Sequence, residues 1–268
     1  MLLDVQARSC YAYTGGKPFD PRSPTVVFVH GAQHDHSVWA LQSRYFAHHG
    51  FSVLAVDLPG HGRSGGTPLS TIEALADWLS ALLDAAGVEQ AALVGHSMGA
   101  LICLEAAARH PNRVHKLALL GVAYPMKVSP ALLETSLHDE PQAIEMVNIW
   151  SHSGIAQKPS FPGPGFYAQA VNQRLMQRVS ARNEAPVFHT DFVACNAYAH
   201  GEEAAAAIRC PTLFLLARKD LMTPAKAAAG LVQSIPHGES ALIESSGHAM
   251  MAEQPDAVLD KLISFMKK

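Results

Sequence analysis

Ala91-Ala92-Leu93-Val94-Gly95-His96-Ser97-Met98-Gly99-Ala100-Leu101-Ile102-Cys103-Leu104 decides how the rest of the chain reads. A short apolar run leads into Gly95-His96-Ser97-Met98-Gly99, a G-x-S-x-G pentapeptide, and a helix-forming apolar run leaves it. A buried strand that turns sharply into a helix puts the serine on a strained corner, and side chains two positions to either side would collide there. Both flanks must therefore be glycine. The pentapeptide alone is weak evidence, because Gly62-Arg63-Ser64-Gly65-Gly66 also fits it. Ser64, however, follows Pro59-Gly60-His61-Gly62 and precedes Gly66-Thr67-Pro68, which is turn chemistry on both sides. Ser97 is the candidate nucleophile, and Ser64 is not.

Working outward, short branched runs alternate with alanine-rich helical stretches, the pattern of a mostly parallel sheet covered by helices on both faces. The strands are expected at Thr25–Val29, Ser52–Val56, Ala91–Val94, Lys116–Gly121, Thr212–Ala217 and Ser240–Glu244, with one or two antiparallel edge strands in Val5–Tyr13. Helices are expected at Ser37–His49, Thr71–Ala86, Met98–His110, Pro224–Ile235 and Pro255–Met266. In the second of these, Ile72, Leu75, Leu79, Leu82 and Leu83 recur at spacings of three and four and form one apolar face. Residues 124–206 break the alternation with seven prolines and no convincing strand, too long for an ordinary loop. They are expected to form a helical subdomain inserted into a core made of residues 1–123 and 207–268.

The chain has 268 residues, 49% of them apolar and 16% charged, enough material for one large core and incompatible with global disorder. Twenty Lys and Arg against 23 Asp and Glu argue against a broad basic face for nucleic acid. The longest apolar stretch, Leu117 to Met126, is about half the ~20 residues a membrane span requires. Met1-Leu2-Leu3 runs into Asp4 without a basic start or a sustained apolar region. The four cysteines, Cys10, Cys103, Cys195 and Cys210, form no C-x-x-C pair and read as reduced, mostly buried thiols. These features point to a cytoplasmic protein with a small-molecule substrate and no cofactor. His34-Asp35-His36 has the residue types of a metal site, but a loop fragment without further ligands is a poor one, and no metal is expected.

A serine hydroxyl needs a general base, and the base needs an orienting carboxylate; both belong at the carboxyl ends of later strands. Arg218-Lys219-Asp220 follows the strand ending at Ala217, and Ser245-Ser246-Gly247-His248 follows the one ending near Glu244. Asp220 and His248 are thus the candidate acid and base. Met98, first residue of the helix after Ser97, offers a backbone N–H to a developing oxyanion, aided by the helix dipole.

The order Ser97, Asp220, His248 resembles the α/β-hydrolase superfamily, near its small esterase, lactonase and proline-iminopeptidase-like groups. The resemblance runs from His30 to about residue 260. It rests on His30-Gly31, Asp57-Leu58-Pro59-Gly60-His61-Gly62-Arg63-Ser64, the pentapeptide, Asp220 with Thr223-Pro224, and Gly247-His248. It implies the α/β-hydrolase fold, a cap formed by residues 124–206, and a second oxyanion donor after His30-Gly31, with Ala32 first and Gln33 behind it. A variant position for the acid lies after the strand ending near Gly121, and Val122-Ala123-Tyr124-Pro125 supplies no carboxylate there.

The implied activity is hydrolysis of a carboxylic ester or lactone through an acyl-enzyme. Two alternatives stand beside it: carbon–carbon bond hydrolysis of a vinylogous diketone, and a catalytically idle binding protein on the same fold. The absence of a Gly-Pro pair in Ala32-Gln33-His34, and of Trp after His248, argues against the diketone reading. Met146, Trp150, Phe161, Phe166, Tyr167 and Phe188 are candidates for an apolar pocket. Arg174, Arg178 and Arg182, spaced by four, read more readily as a solvated helix face than as an anion site.

Overall fold

A computed structural model describes residues 1–153, 164–183 and 185–268. The chain opens with a hairpin of β1 (Leu2–Val5) and β2 (Arg8–Tyr13). Next come β3 (Thr25–Val29), α1 (Ala40–Ala47), β4 (Ser52–Val56), α2 (Ile72–Ala85), β5 (Ala91–His96), α3 (Met98–Arg109) and β6 (Val114–Leu120). Helices α4 (Pro130–His138), α5 (Glu140–Ser151), α6 (Pro164–Ala181), α7 (Val187–Ala197) and α8 (Gly201–Ala207) separate β6 from β7 (Thr212–Ala217). The chain closes with α9 (Ala229–Ser234), β8 (Gly238–Ile243), α10 (Met250–Glu253) and α11 (Pro255–Lys267).

All eight strands form one sheet in the order β1-β2-β4-β3-β5-β6-β7-β8. β2 pairs antiparallel with β1 and with β4, and every other pairing is parallel. Helices cover both faces, so the architecture is the expected α/β-hydrolase fold. The strands read as continuous apolar runs because both faces are buried: along β3, Val27 and Val29 join the cluster under α2 and α3, while Val26 and Phe28 join the one under α1 and α11. Large side chains sealed in these layers, such as Trp78 and Phe28, each stabilise the fold by about 1.5–3 kcal/mol relative to exposure.

Two expected helices are shorter than their sequence pattern. Ser37–His49 splits into a 3-10 turn, His36–Trp39, and α1, because Asp35 accepts the Ser37 N–H and starts the tighter turn. Pro224–Ile235 likewise splits into Ala225–Ala228 and α9, the Ala227 N–H donating back to the Pro224 carbonyl. β5 runs two residues past its expected end, since Gly95 and His96 still pair with Leu119 and Leu120.

Between β6 and β7, Leu132, Ala143, Ile144, Val147, Met176, Phe188 and Phe192 make a separate apolar cluster. The last helix of this stretch, α8, packs instead on α3, with Ala204 and Ala205 in the main core. No helix among the described residues is long and apolar enough to cross a membrane.

β3 lies between β4 and β5, so the chain leaves β3 to one side and then returns to the other. That reversal opens a crevice at the carboxyl ends of β3 and β5, where the His30–Gln33 loop and Ser97 stand side by side.

Candidate active site

Ser97 has φ 56° and ψ −120°, a left-handed conformation at the junction of β5 and α3. A Cβ on Gly95 would strike the backbone of Gly99, and one on Gly99 would strike the carbonyl oxygens of Val29 and His30. The turn therefore admits no side chain at either flank. Ser97 lines a cavity of about 400 Å3 with Ala32, Met126, Val128, Leu132, Trp150, Phe192 and Met222. By contrast, Ser64 donates to the Asp57 carbonyl at 2.6 Å and accepts the Tyr11 N–H at 2.9 Å, a hydroxyl committed to the loop.

Asp220 and His248, from the loops after β7 and β8, meet with Oδ2 and Nδ1 2.8 Å apart. A carboxylate only accepts, so Nδ1 carries the hydrogen, and in the neutral ring Nε2 is the nitrogen that holds the lone pair. Burial opposes ionisation of Asp220, but the charge and hydrogen bond of His248 and two bonds from Thr223 outweigh it and hold the carboxyl below its ordinary range. Thr223 Oγ1 lies 2.8 Å from Asp220 Oδ2, 3.0 Å from His248 Nδ1 and 2.9 Å from the Gly121 carbonyl, tying three loops together. The Met222 and Thr223 amides both donate to Asp220 Oδ1. Ser97 Oγ makes no hydrogen bond to His248 in this conformation; such contacts commonly tighten only when substrate binds.

His96 is buried against the His248 ring, centroids 4.6 Å apart, and its Nε2 lies 2.9 Å from the His248 carbonyl oxygen. Burial and the neighbouring His248 and His34 push its pKa well below the ordinary value, so it is a neutral donor. Glu253 fixes the same loop, accepting from the Gly247 amide at 2.6 Å and from the Ser153 amide and hydroxyl. Nothing in the sequence marked Glu253, because two of its partners are backbone amides and Ser153 lies a hundred residues away; Thr223 was visible only as part of Thr223-Pro224.

The two candidate oxyanion donors are placed differently. Met98 is the first residue of α3, whose leading amides have no acceptor within the helix. Ala32 lines the Ser97 cavity, and its N–H has no acceptor among the described residues. Gln33, the second choice for that role, already gives its N–H to Asp191 at 2.8 Å.

Of the aromatic candidates, Trp150 lines the Ser97 cavity, Phe188 is sealed in the apolar cluster between β6 and β7, and Met146 packs against that cluster. Phe192, one turn beyond Phe188, faces the cavity in its place. Tyr167 lines a second cavity, of about 790 Å3, shared by His34, Gln42, His96 and His248. Phe161 and the Phe166 side chain lie outside the described residues.

Of the three arginines spaced by four, Arg178 on α6 and Arg182 just beyond it hold loops of the sheet, while Arg174 bonds Gln177 of its own helix at 3.2 Å. Arg178 pairs with Asp35 at 2.6 Å, and Arg182 donates to the Gly62 carbonyl at 3.4 Å. Burial raises the Asp35 pKa, yet bonds from Ser37 and Arg178 and the charge of His36 bring it down to about 2. Asp35, His36 and Asp57 have oxygen and nitrogen atoms within 4.8 Å of one another. Those atoms are already taken: His36 Nδ1 bonds Asp57 at 2.7 Å, and Ser37 and Arg178 occupy Asp35.

Comparison with known proteins identifies the family. The model of the alpha/beta hydrolase family matches residues 26–261. The chain belongs to the α/β hydrolase family. The chain is 25% identical over 250 residues to Protein ABHD8 of Mus musculus, an alignment covering 90% of this chain and 54% of that protein. The chain thus spans about half the length of the mammalian relatives it matches. Over 238 residues it is 25% identical to the (E)-2-((N-methylformamido)methylene)succinate hydrolase of Acinetobacter baylyi, covering 87% of this chain and 86% of that one. The enol-lactonase from Burkholderia xenovorans LB400 superposes with a TM-score of 0.87 at 22% identity, over 100% of both chains, a likeness of fold.

Proposed function

We propose that this hydrolase cleaves a carboxylic ester or lactone of small to medium size through an acyl-enzyme, using Ser97, His248 and Asp220. The observation that carries the reading is the 2.8 Å bond between His248 Nδ1 and Asp220 Oδ2, which leaves the His248 Nε2 lone pair free to act as a base. Ser97 Oγ adds to the substrate carbonyl carbon while its proton passes to His248. The carbonyl oxygen, now negative, is held by the N–H groups of Ala32 and Met98. As the C–O bond breaks, His248 returns the proton to the leaving oxygen. Water then adds to the acyl-enzyme, giving its proton to His248, and Ser97 leaves with that proton restored.

Residues 124–206 serve as the cap in this reading, with α8 as its anchor in the core. Met126, Val128, Leu132, Trp150, Phe192 and Met222 suit an apolar acyl group. The chemistry is complete in side chains and backbone and calls for no metal or cofactor. The four free cysteines suit a reducing compartment such as the cytoplasm.

The test is a panel of chromogenic esters from acetyl to long acyl, simple lactones and a vinylogous diketone, run with the native chain and with Ser97→Ala. Turnover of an ester or lactone, and fluorophosphonate labelling at Ser97, are expected and should vanish together in Ser97→Ala. Labelling at Ser64, or turnover that survives Ser97→Ala, overturns the assignment. Cleavage of the diketone alone replaces ester hydrolysis by carbon–carbon hydrolysis. Labelling without turnover of any substrate indicates a binding protein.

A further inference from the structure

Asp191 lies on α7, far from Ser97 in sequence, and is sealed from solvent. Its Oδ2 accepts two hydrogen bonds, from the Gln33 N–H at 2.8 Å and from His61 Nε2 at 2.9 Å. Gln33 follows Ala32 and holds φ 57°, a left-handed conformation that a non-glycine residue keeps only where its surroundings enforce it. Its side chain is tied as well, with Nε2 donating to the Met176 carbonyl at 3.1 Å and to Ser180 Oγ at 2.6 Å. The loop carrying the Ala32 N–H is therefore shaped from the insertion side, by α6 and α7.

His61 faces two acceptors, since Nδ1 lies 3.0 Å from the Pro59 carbonyl oxygen and Nε2 faces Asp191. Both ring nitrogens must then carry hydrogen, which makes His61 a buried cation beside a buried anion. The other titratable groups around it are consistent. The His30 ring, 4.9 Å away, is neutral, its Nδ1–H bonding the Gly31 carbonyl and its Nε2 accepting the Leu58 N–H. Asp57, on the same loop as His61, adds negative charge that favours the cation.

We propose that Asp191 is a positioning residue for the reaction: through the Gln33 N–H it holds the turn that aims the Ala32 N–H at the oxyanion. The inference rests on the proposed hydrolysis at Ser97. It makes the insertion a working part of the site as well as a cover, because the Ala32 donor is lost to the reaction when Asp191 lets go.

The experiment uses the full chain, an ester or lactone that it turns over, and the variants Asp191→Ala and Asp191→Asn. Asp191→Ala frees the turn and should lower kcat by tenfold or more, toward the 10²–10³-fold cost of a lost oxyanion donor, with KM changed little. In Asp191→Asn an amide oxygen in place of Oδ2 still accepts from the Gln33 N–H and from the Nε2–H of a neutral His61. It should recover most of what Asp191→Ala loses. A folded Asp191→Ala with kcat within twofold of the native chain overturns the proposal, as does an Asp191→Asn that is as slow as Asp191→Ala.

Should Asp191→Ala fail to fold, the pH profile decides. In the native chain kcat should fall on the alkaline side as His61 loses its proton and, with it, the positive charge that holds the Asp191 carboxylate in place. Asp191→Asn should lack that limb, and identical profiles from pH 7 to 10 overturn the proposal. Failure of the parent reading shows itself separately, as native chain unlabelled at Ser97 or Ser97→Ala still active.

Discussion

His96 donates its Nε2 hydrogen to the carbonyl oxygen of His248, so one histidine fixes the backbone from which the other projects. Gly121, at φ 55°, leaves room for this pair, since a Cβ there would stand 3.2 Å from His248 Nδ1 and 3.4 Å from His96 Nε2. His96→Phe keeps the ring but strands a buried carbonyl without a donor, at about 1–3 kcal/mol. We expect a lower thermal midpoint and about a tenfold fall in kcat with KM nearly unchanged. His96→Gln, which keeps an N–H, should recover part of both; steady-state kinetics and thermal melting on the three proteins check it.

The glycines flanking Ser97 give a second expectation. Gly99→Ala drives a Cβ into the carbonyl oxygens of Val29 and His30, overpacking worth about 1–3 kcal/mol or more, and twists Ser97 out of its turn. The variant should lose stability in denaturant titration and resist fluorophosphonate. Gly230→Ala is the control, because its Cβ meets nothing within 4 Å and alanine favours the helix by up to about 1 kcal/mol. A Gly99→Ala protein as stable and as reactive as the Gly230→Ala control would contradict the collision.

Val128 is half-buried on the wall of the Ser97 cavity. Val128→Phe should shorten the space for the acyl group. Acetyl esters should turn over much as before, while kcat/KM for long acyl esters falls about tenfold or more, the scale of a methylene or two in an apolar pocket. A uniform loss across the ester series would place the acyl chain elsewhere.

Two buried groups make stability depend on pH with opposite signs. Burial depresses the His61 pKa, but the charge and hydrogen bond of Asp191 and the Pro59 carbonyl overcome it and raise the value above normal. Its contribution is full below the unfolded pKa of about 6.5 and is lost as pH rises through the folded value. For Asp220 the folded pKa is lowered, so its contribution is present above about 3.8 and lost as pH falls through the folded value. Thermal midpoints should decline on both sides, more gently on the alkaline side in Asp191→Asn and on the acid side in Asp220→Asn. Slopes identical to the native chain in both variants would remove these groups as the cause.

Local pattern was enough for the sheet and for the pairing of Asp220 with His248. The limits of β3, β4 and β7 coincide with their apolar runs, because a strand buried on both faces has no polar interruption to blur its ends. The helices expected from Ser37 and Pro224 begin late because single hydrogen bonds at Asp35 and Pro224, which propensity does not register, selected tighter turns. Asp191 was illegible for another reason. Asp191 meets its partners, Gln33 and His61, more than a hundred residues away, and no spacing rule joins residues across an insertion. Arg174, Arg178 and Arg182 misled in a related way, since their spacing by four fits a solvated face although Arg178 reaches Asp35.

The insertion grips the sheet through the loops it overhangs: Gln33 on Met176 and Ser180, Asp35 on Arg178, and the Gly60 carbonyl on Asn183. Grafting residues 124–206 of this chain therefore involves a wider seam than the two chain junctions beside β6 and β7. A chimera carrying residues 124–206 on a relative's scaffold must also import residues 33–36 and 57–64, or the transplanted helices will arrive without the footing they were shaped to hold.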